Sequence, residues 1–198
     1  MMLNHRICAV LFAVFLAGCQ SPHATTYSTG GSPAYSLRDP DIDPTVPSIK
    51  EDKFSPFIKV ETEVGRKQNN KGSQMYSLNG AIDRKNGVTV TFVQWVEVYS
   101  AKEWRFYYRA SDDSGTSLDF HKVARNVSSC TSGIGCVYDE VYNIYFTPAQ
   151  IKAAKTNGLL FKIYGKRSDE RVVNIPANVV AEFDAKMIEA RQLNGAKH

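Results

Sequence analysis

The chain has 198 residues, 43% of them hydrophobic and 11% aromatic, with a formal net charge of +4 at pH 7. That is enough apolar material for one packed domain plus a linker. The modest basic excess contains no continuous Lys/Arg run, which argues against nucleic acid as a partner.

At the N-terminus His5 and Arg6 precede an apolar stretch from Ile7 to Leu16, followed by Ala17, Gly18 and Cys19. A bilayer-spanning helix needs about 20 apolar residues, so this shorter run reads as an export signal rather than a span. The tetrapeptide Leu16-Ala17-Gly18-Cys19 resembles the lipobox of bacterial lipoproteins. That resemblance implies a signal peptide over residues 1–18, cleaved before Cys19, and a diacylglyceryl group on the Cys19 thiol. It also implies a partner in the membrane itself, held through that lipid. An Asp after the cysteine would imply retention at an inner membrane; Gln20 stands there, which points to an outer-membrane anchor facing the periplasm. An ordinary signal peptide with an unmodified cysteine is the alternative.

Residues 19–53 read as a tether. The stretch after Cys19 is rich in Ser, Thr, Gly and Pro, and its few apolar residues cannot offset the entropy of ordering it. Residues 54–198 carry 20 basic and 15 acidic side chains and read as one β-rich domain.

Within that domain Phe57 to Val64 reads as a strand, and Gly87 to Tyr99 alternates β-branched and aromatic residues as a half-covered strand does. Asn86-Gly87 and Gly115 supply turn positions that favour positive φ. The segment Lys102 to Ala110 alternates too, and is expected to pair with the preceding strand as a hairpin across Ser100 and Ala101. Trp104, Phe106 and Tyr108 would then share one side, and Arg105, Tyr107 and Arg109 the other. Arg and Tyr offer large contact areas and directional donors, so Arg105, Tyr107 and Arg109 form the candidate binding patch.

Further strands are predicted at Leu118 to Val123, Tyr138 to Phe146, Leu159 to Tyr164 and Arg171 to Ile175. Short strands with turn signals between them predict an antiparallel β-sandwich or partly open barrel, mainly β with two helices. The first helix has Thr147 as N-cap, Pro148 at its first position and Asn157-Gly158 as its stop. The second begins near Pro176, with Val180, Phe183, Met187 and Ala190 on one apolar stripe that suits core packing.

Cys130 and Cys136 frame a short loop containing two glycines, and in an exported protein they are expected to form a disulfide. Zinc would need four N or S ligands, and only His121 and His198 follow the signal and tether among the histidines.

No constellation for catalysis stands out. G-x-S-x-G, HExxH and the phosphate- and dinucleotide-binding glycine patterns are absent, so no cofactor, metal or catalytic residue is expected. The acid pairs Glu61/Glu63, Asp112/Asp113 and Asp139/Glu140 read as solvated surface, and Asp112 to Asp119 as a turn rather than a calcium loop. The segment from Ala124 to Phe146 with its Thr-Pro helix is similar to exported Gram-negative lipoproteins, a resemblance that assigns no residue a role. The expected function is therefore a lipid-anchored module, not an enzyme, that binds an envelope protein or supports an envelope assembly. The alternative is a small-ligand carrier with Trp95, Trp104, Tyr107 and Tyr108 lining a pocket, with a hydrolase behind it.

Overall fold

The structure is a computed structural model and describes residues 44, 46–69, 72–133 and 135–195. The lipobox, Cys19 and residues 1–18 lie outside the described residues, as does most of the expected tether.

Among the described residues ten strands form one antiparallel sheet: β1 (Ser48–Glu51), β2 (Phe57–Glu61), β3 (Gly65–Asn69), β4 (Gly72–Asp83), β5 (Thr89–Ala101), β6 (Arg109–Asp112), β7 (Ser117–Thr131), β8 (Gly135–Phe146), β9 (Leu159–Tyr164) and β10 (Glu170–Ile175). Their order across the sheet is β1-β2-β4-β5-β8-β7-β6-β9-β10, with β3 beside the far half of β4. The sheet curls strongly into a half-barrel, the partly open form of the two expected architectures.

Helix α1 (Pro148–Asn157) joins β8 to β9, and α2 (Ala177–Gly195) follows β10. The Thr147 hydroxyl accepts from the Gln150 amide, while the Gln150 side chain accepts from the Thr147 amide, so both ends of the capping box are closed. On α2, Val180, Phe183, Met187 and Ala190 are all buried in the core beside Ile58, Leu78, Ile82 and Ile175. The helix thus supplies the apolar cover that the concave face of a half-barrel lacks. None of the described helices is long and apolar enough to cross a membrane.

Three expectations need correction. The tether was expected to run to Lys53, yet β1 lies within it and pairs with β2. Ile49 gives that short segment an apolar contact with the core, and Lys50 reaches the Glu61 carboxylate at 2.6 Å. The sheet therefore includes Ser48–Glu51. The strand expected at Lys102 to Ala110 does not form beside β5, because β4 and β8 already occupy both edges of β5. Residues 102–108 instead form an irregular strap, bent at Lys102 and Glu103 and left-handed at Phe106, and only Arg109–Asp112 rejoins the sheet as β6. Finally β7 runs on to Thr131, well past Val123, because β8 pairs with it as far as the disulfide.

Candidate functional site

Alternation along β4, β5 and β8 points every second side chain into the half-barrel. Tyr76, Trp95 and Tyr142 stand in one such row. The adjoining row is polar: Gln74, Glu97, Glu140 and Arg125 are successive partners across β4, β5, β8 and β7. Glu97 and Glu140 have no solvent exposure. Isolated buried carboxylates would be prohibitive in an apolar interior, so their charge and lone pairs must be met locally.

Three arginines and three tyrosines meet them. Glu97 Oε1 accepts from Arg105 Nη1 at 2.6 Å and from Arg171 Nε at 2.7 Å, and Oε2 accepts from the Tyr107 hydroxyl. Glu140 Oε1 accepts from the Tyr99 hydroxyl at 2.5 Å and from the Phe106 amide at 3.1 Å. Its Oε2 accepts from Arg125 Nε at 2.9 Å and from the Tyr142 hydroxyl. Burial raises the Glu97 carboxyl above its ordinary value, while the Tyr107 hydrogen bond and the charges of Arg171 and Arg105 pull it back. The phenols of Tyr99, Tyr107 and Tyr142 are raised as well, chiefly by burial and then by the neighbouring carboxylate.

This network pins the strap. The Tyr99 hydroxyl accepts from the Arg105 amide at 2.7 Å, and Arg125 Nη2 donates to the Tyr107 carbonyl at 3.1 Å. Beyond the strap, Lys166 donates its amide hydrogen to the Arg105 carbonyl at 2.7 Å, and Tyr108 does the same to the Tyr164 carbonyl at 3.0 Å. Phe106 takes a left-handed φ of 50°, which a non-glycine residue holds only where its surroundings fix it.

The expected patch of Arg105, Tyr107 and Arg109 is consequently split. Tyr107 is buried edge to face against Trp95, and Arg105 turns inward to Glu97; only Arg109 remains at the surface. Simple alternation failed because the strap is not a strand, and the buried carboxylates draw in its Arg and Tyr. Nor do Trp95, Trp104, Tyr107 and Tyr108 converge on one pocket. Trp104 lies on Tyr138 with ring centroids 4.4 Å apart, and Tyr108 is 57% exposed. A depression of about 330 Å³ at the tip of the β7–β8 hairpin is lined by Lys102, Thr131, Ser132 and the cysteine pair, and by none of those four rings.

Beside the strap, β6, β9 and the turn after β9 present a rim of cations seated on aromatic faces. Arg109 lies 3.9 Å from the Tyr164 ring centre, Lys166 4.4 Å from that of Phe106, and Lys162 5.2 Å from that of Tyr164. Among the described residues neither Arg109 nor Lys166 forms an ion pair with a carboxylate, whereas Lys162 meets Glu170 at 2.5 Å.

The remaining sequence candidates fall into place separately. Cys130 and Cys136 are bonded across the hairpin tip. His121 is partly exposed beside Asp119, 2.7 Å away, with its ring edge-on to Tyr145. Asp112 accepts from the Ser114 and Thr116 amides and so closes a turn. Asp139 faces out to Ser128, while its neighbour Glu140 faces in. No group of three or more His, Cys, Asp or Glu residues among the described residues is placed to hold a metal.

No sequence motif points to Glu97, Arg125 or Arg171, and the reading of the pair Asp139/Glu140 as solvated surface is corrected for Glu140, which is fully buried. A signal was present: Glu97 shares the alternation of Trp95 and Tyr99, and Glu140 that of Tyr138 and Tyr142. A charge on the apolar face of a strand announces a buried partner. No family model, curated protein or solved structure matches the chain.

Proposed function

We propose that the chain is a lipid-anchored envelope protein whose half-barrel domain binds a protein partner through the rim formed by the strap, β6 and β9. The observation that carries this reading is the placement of Arg109 and Lys166 over Tyr164 and Phe106, beside the exposed Tyr108. Arg and Tyr dominate binding hot spots because they combine area with directional donors. A cation held on an aromatic face is also preorganised, so less side-chain entropy is lost when a partner docks.

The other supports lie in the sequence and the hairpin. The order of charge, apolar core, small residues and Cys19 suits an acylated export signal, and the Cys130–Cys136 bridge suits an oxidising compartment. In this reading the lipid on Cys19 fixes the protein to the membrane, the residues that follow set its reach, and the rim receives the partner. The buried network acts as scaffold rather than as a reaction centre.

The test is crosslinking in intact cells from a photoreactive residue at position 108, alongside a Cys19→Ala variant and an Arg109→Glu/Lys166→Glu variant. We expect one envelope protein to be captured, less of it from the rim variant, and release of the chain from the membrane fraction by Cys19→Ala. If the folded, abundant protein gives no adduct at position 108, the rim is not the docking surface. Retention of Cys19→Ala in the membrane would reject the anchor.

A further inference from the structure

Among the described residues several strands keep an open edge, and all but one are blunted. β1 is four residues long and carries Lys50 and Glu51; β3 carries Arg66 and Lys67. β7 pairs with β6 only at Ser117 and Leu118, but its long remaining edge is broken by register shifts at Lys122/Ala124 and Val127/Ser129. Short length, charge and bulges are the usual devices that keep sheet edges from pairing with other chains. β10 has none of them along its centre. Its six residues pair with β9 in unbroken register, and Val172 stands 58% exposed in its middle.

We infer that the open edge of β10 pairs with β10 of a second copy of this chain, antiparallel about a two-fold axis at Val172, joining two half-barrel sheets. Two registers, with the axis at Val172 or at Val173, keep outward side chains on the same face while overlapping five of the six strand residues. An axis at Arg171 overlaps less of the strand and sets two arginines directly opposite each other. An axis at Val173 sets Val172 against Asn174 and Glu170 against Pro176, which has no N–H to give. An axis at Val172 sets the two exposed valines together and places each Glu170 carboxylate opposite the Asn174 amide of the other copy. Of these registers it alone sets no like charges opposite one another and no proline against the edge.

The neighbouring strand favours the same arrangement. Lys162 is the β9 partner of Val172 and already holds Glu170, and the 42% exposed Leu160 is the β9 partner of Asn174. The two valines at the axis would then be flanked on each side by Lys162, whose ammonium stays on Glu170. A strand pair of this length falls short of a standard interface of about 1,200–2,000 Å², so association depends on concentration. This pairing is independent of what the rim binds.

The test uses the full chain carrying Cys8→Ser and Cys19→Ser, so that no other free thiol remains. Directly opposed residues of an antiparallel pair lie within disulfide reach, so Val172→Cys is expected to give a covalent dimer on mild oxidation. Leu160→Cys, exposed but one strand in from the edge, is expected to stay monomeric. In sedimentation velocity the chain without either cysteine should shift from monomer to dimer as concentration rises, and Val172→Lys should abolish the shift. Monomer at every concentration, or a Leu160→Cys dimer as abundant as the Val172→Cys dimer, would overturn the inference.

Discussion

Glu97 and Glu140 face each other directly across β5 and β8, both without solvent exposure, and each is held by arginines and tyrosines that arrive from different parts of the chain. Like charges directly opposite on adjoining strands repel, so the arrangement stands only while Arg105, Arg125 and Arg171 are in place. Two of these come from outside the four-stranded row: Arg105 from the strap and Arg171 from β10. The network therefore ties the strap and the far end of the sheet to its centre.

Losses at two partners of one buried network should not add. Glu97→Gln takes the buried carboxylate from both Arg105 and Arg171 and should cost about 3–5 kcal/mol, whereas Arg171→Met leaves Arg105 on Glu97 and should cost less. The double substitution should cost less than the sum of the two. Urea unfolding of the single and double variants measures this coupling, and strict additivity would show that the two side chains do not share one network.

Glu97 should also leave a pH signature. Its carboxyl is raised above 4.5 in the folded protein by burial, so in the window just above that value the folded state binds more protons than the unfolded chain. This group's contribution to stability therefore declines as pH rises from the ordinary carboxylate range towards its folded value. Carboxyl ¹³C NMR of glutamate-labelled protein should show one resonance, lost in Glu97→Gln, titrating above the exposed glutamates. Titration of that resonance below them would reverse the sign.

The disulfide should stabilise a local loop rather than hold the fold together. Cys130 and Cys136 are six residues apart at a hairpin tip, so replacing both with Ser is expected to cost about 2 kcal/mol in the chain-entropy picture while leaving the sheet intact. Thermal unfolding together with far-ultraviolet circular dichroism would check both parts. Complete unfolding of the double-serine variant at room temperature would contradict the local role.

Gly135 should tolerate substitution poorly. It sits at a φ of 125°, and a β-carbon there would run into the Ala101 carbonyl of the neighbouring strand. Gly135→Ala is expected to destabilise by about 1–3 kcal/mol, whereas Gly133→Ala, also at positive φ but with open space around its α-carbon, should cost less. Denaturant midpoints of the two variants would rank them.

What the sequence determined by itself is whatever depends on neighbours along the chain. Thr147-Pro148 and Asn157-Gly158 bound α1 because caps are local, and Leu159 to Tyr164 alternates over the full length of β9. Gly87 and Gly115 adopt the positive φ their turns require, and the stripe from Val180 to Ala190 is buried as its spacing implies. The pairing of two cysteines six residues apart across one hairpin belongs to the same class.

Tertiary structure decided the rest because alternation says which residues share a side but not whether the segment finds an edge to pair with. Both edges of β5 were already taken by β4 and β8, which come from either side of the strap in sequence. Residues 102–108, though patterned like a strand, therefore became the strap, with Tyr107 in the core and Arg105 on Glu97. Ser48–Glu51, too polar to order itself, found an edge on β2 and joined the sheet. The candidate site followed these long-range choices: a charge such as Glu97 can be seen from its strand pattern to need a partner, but the arginines that meet it lie 8 and 74 residues away, at distances only folding closes.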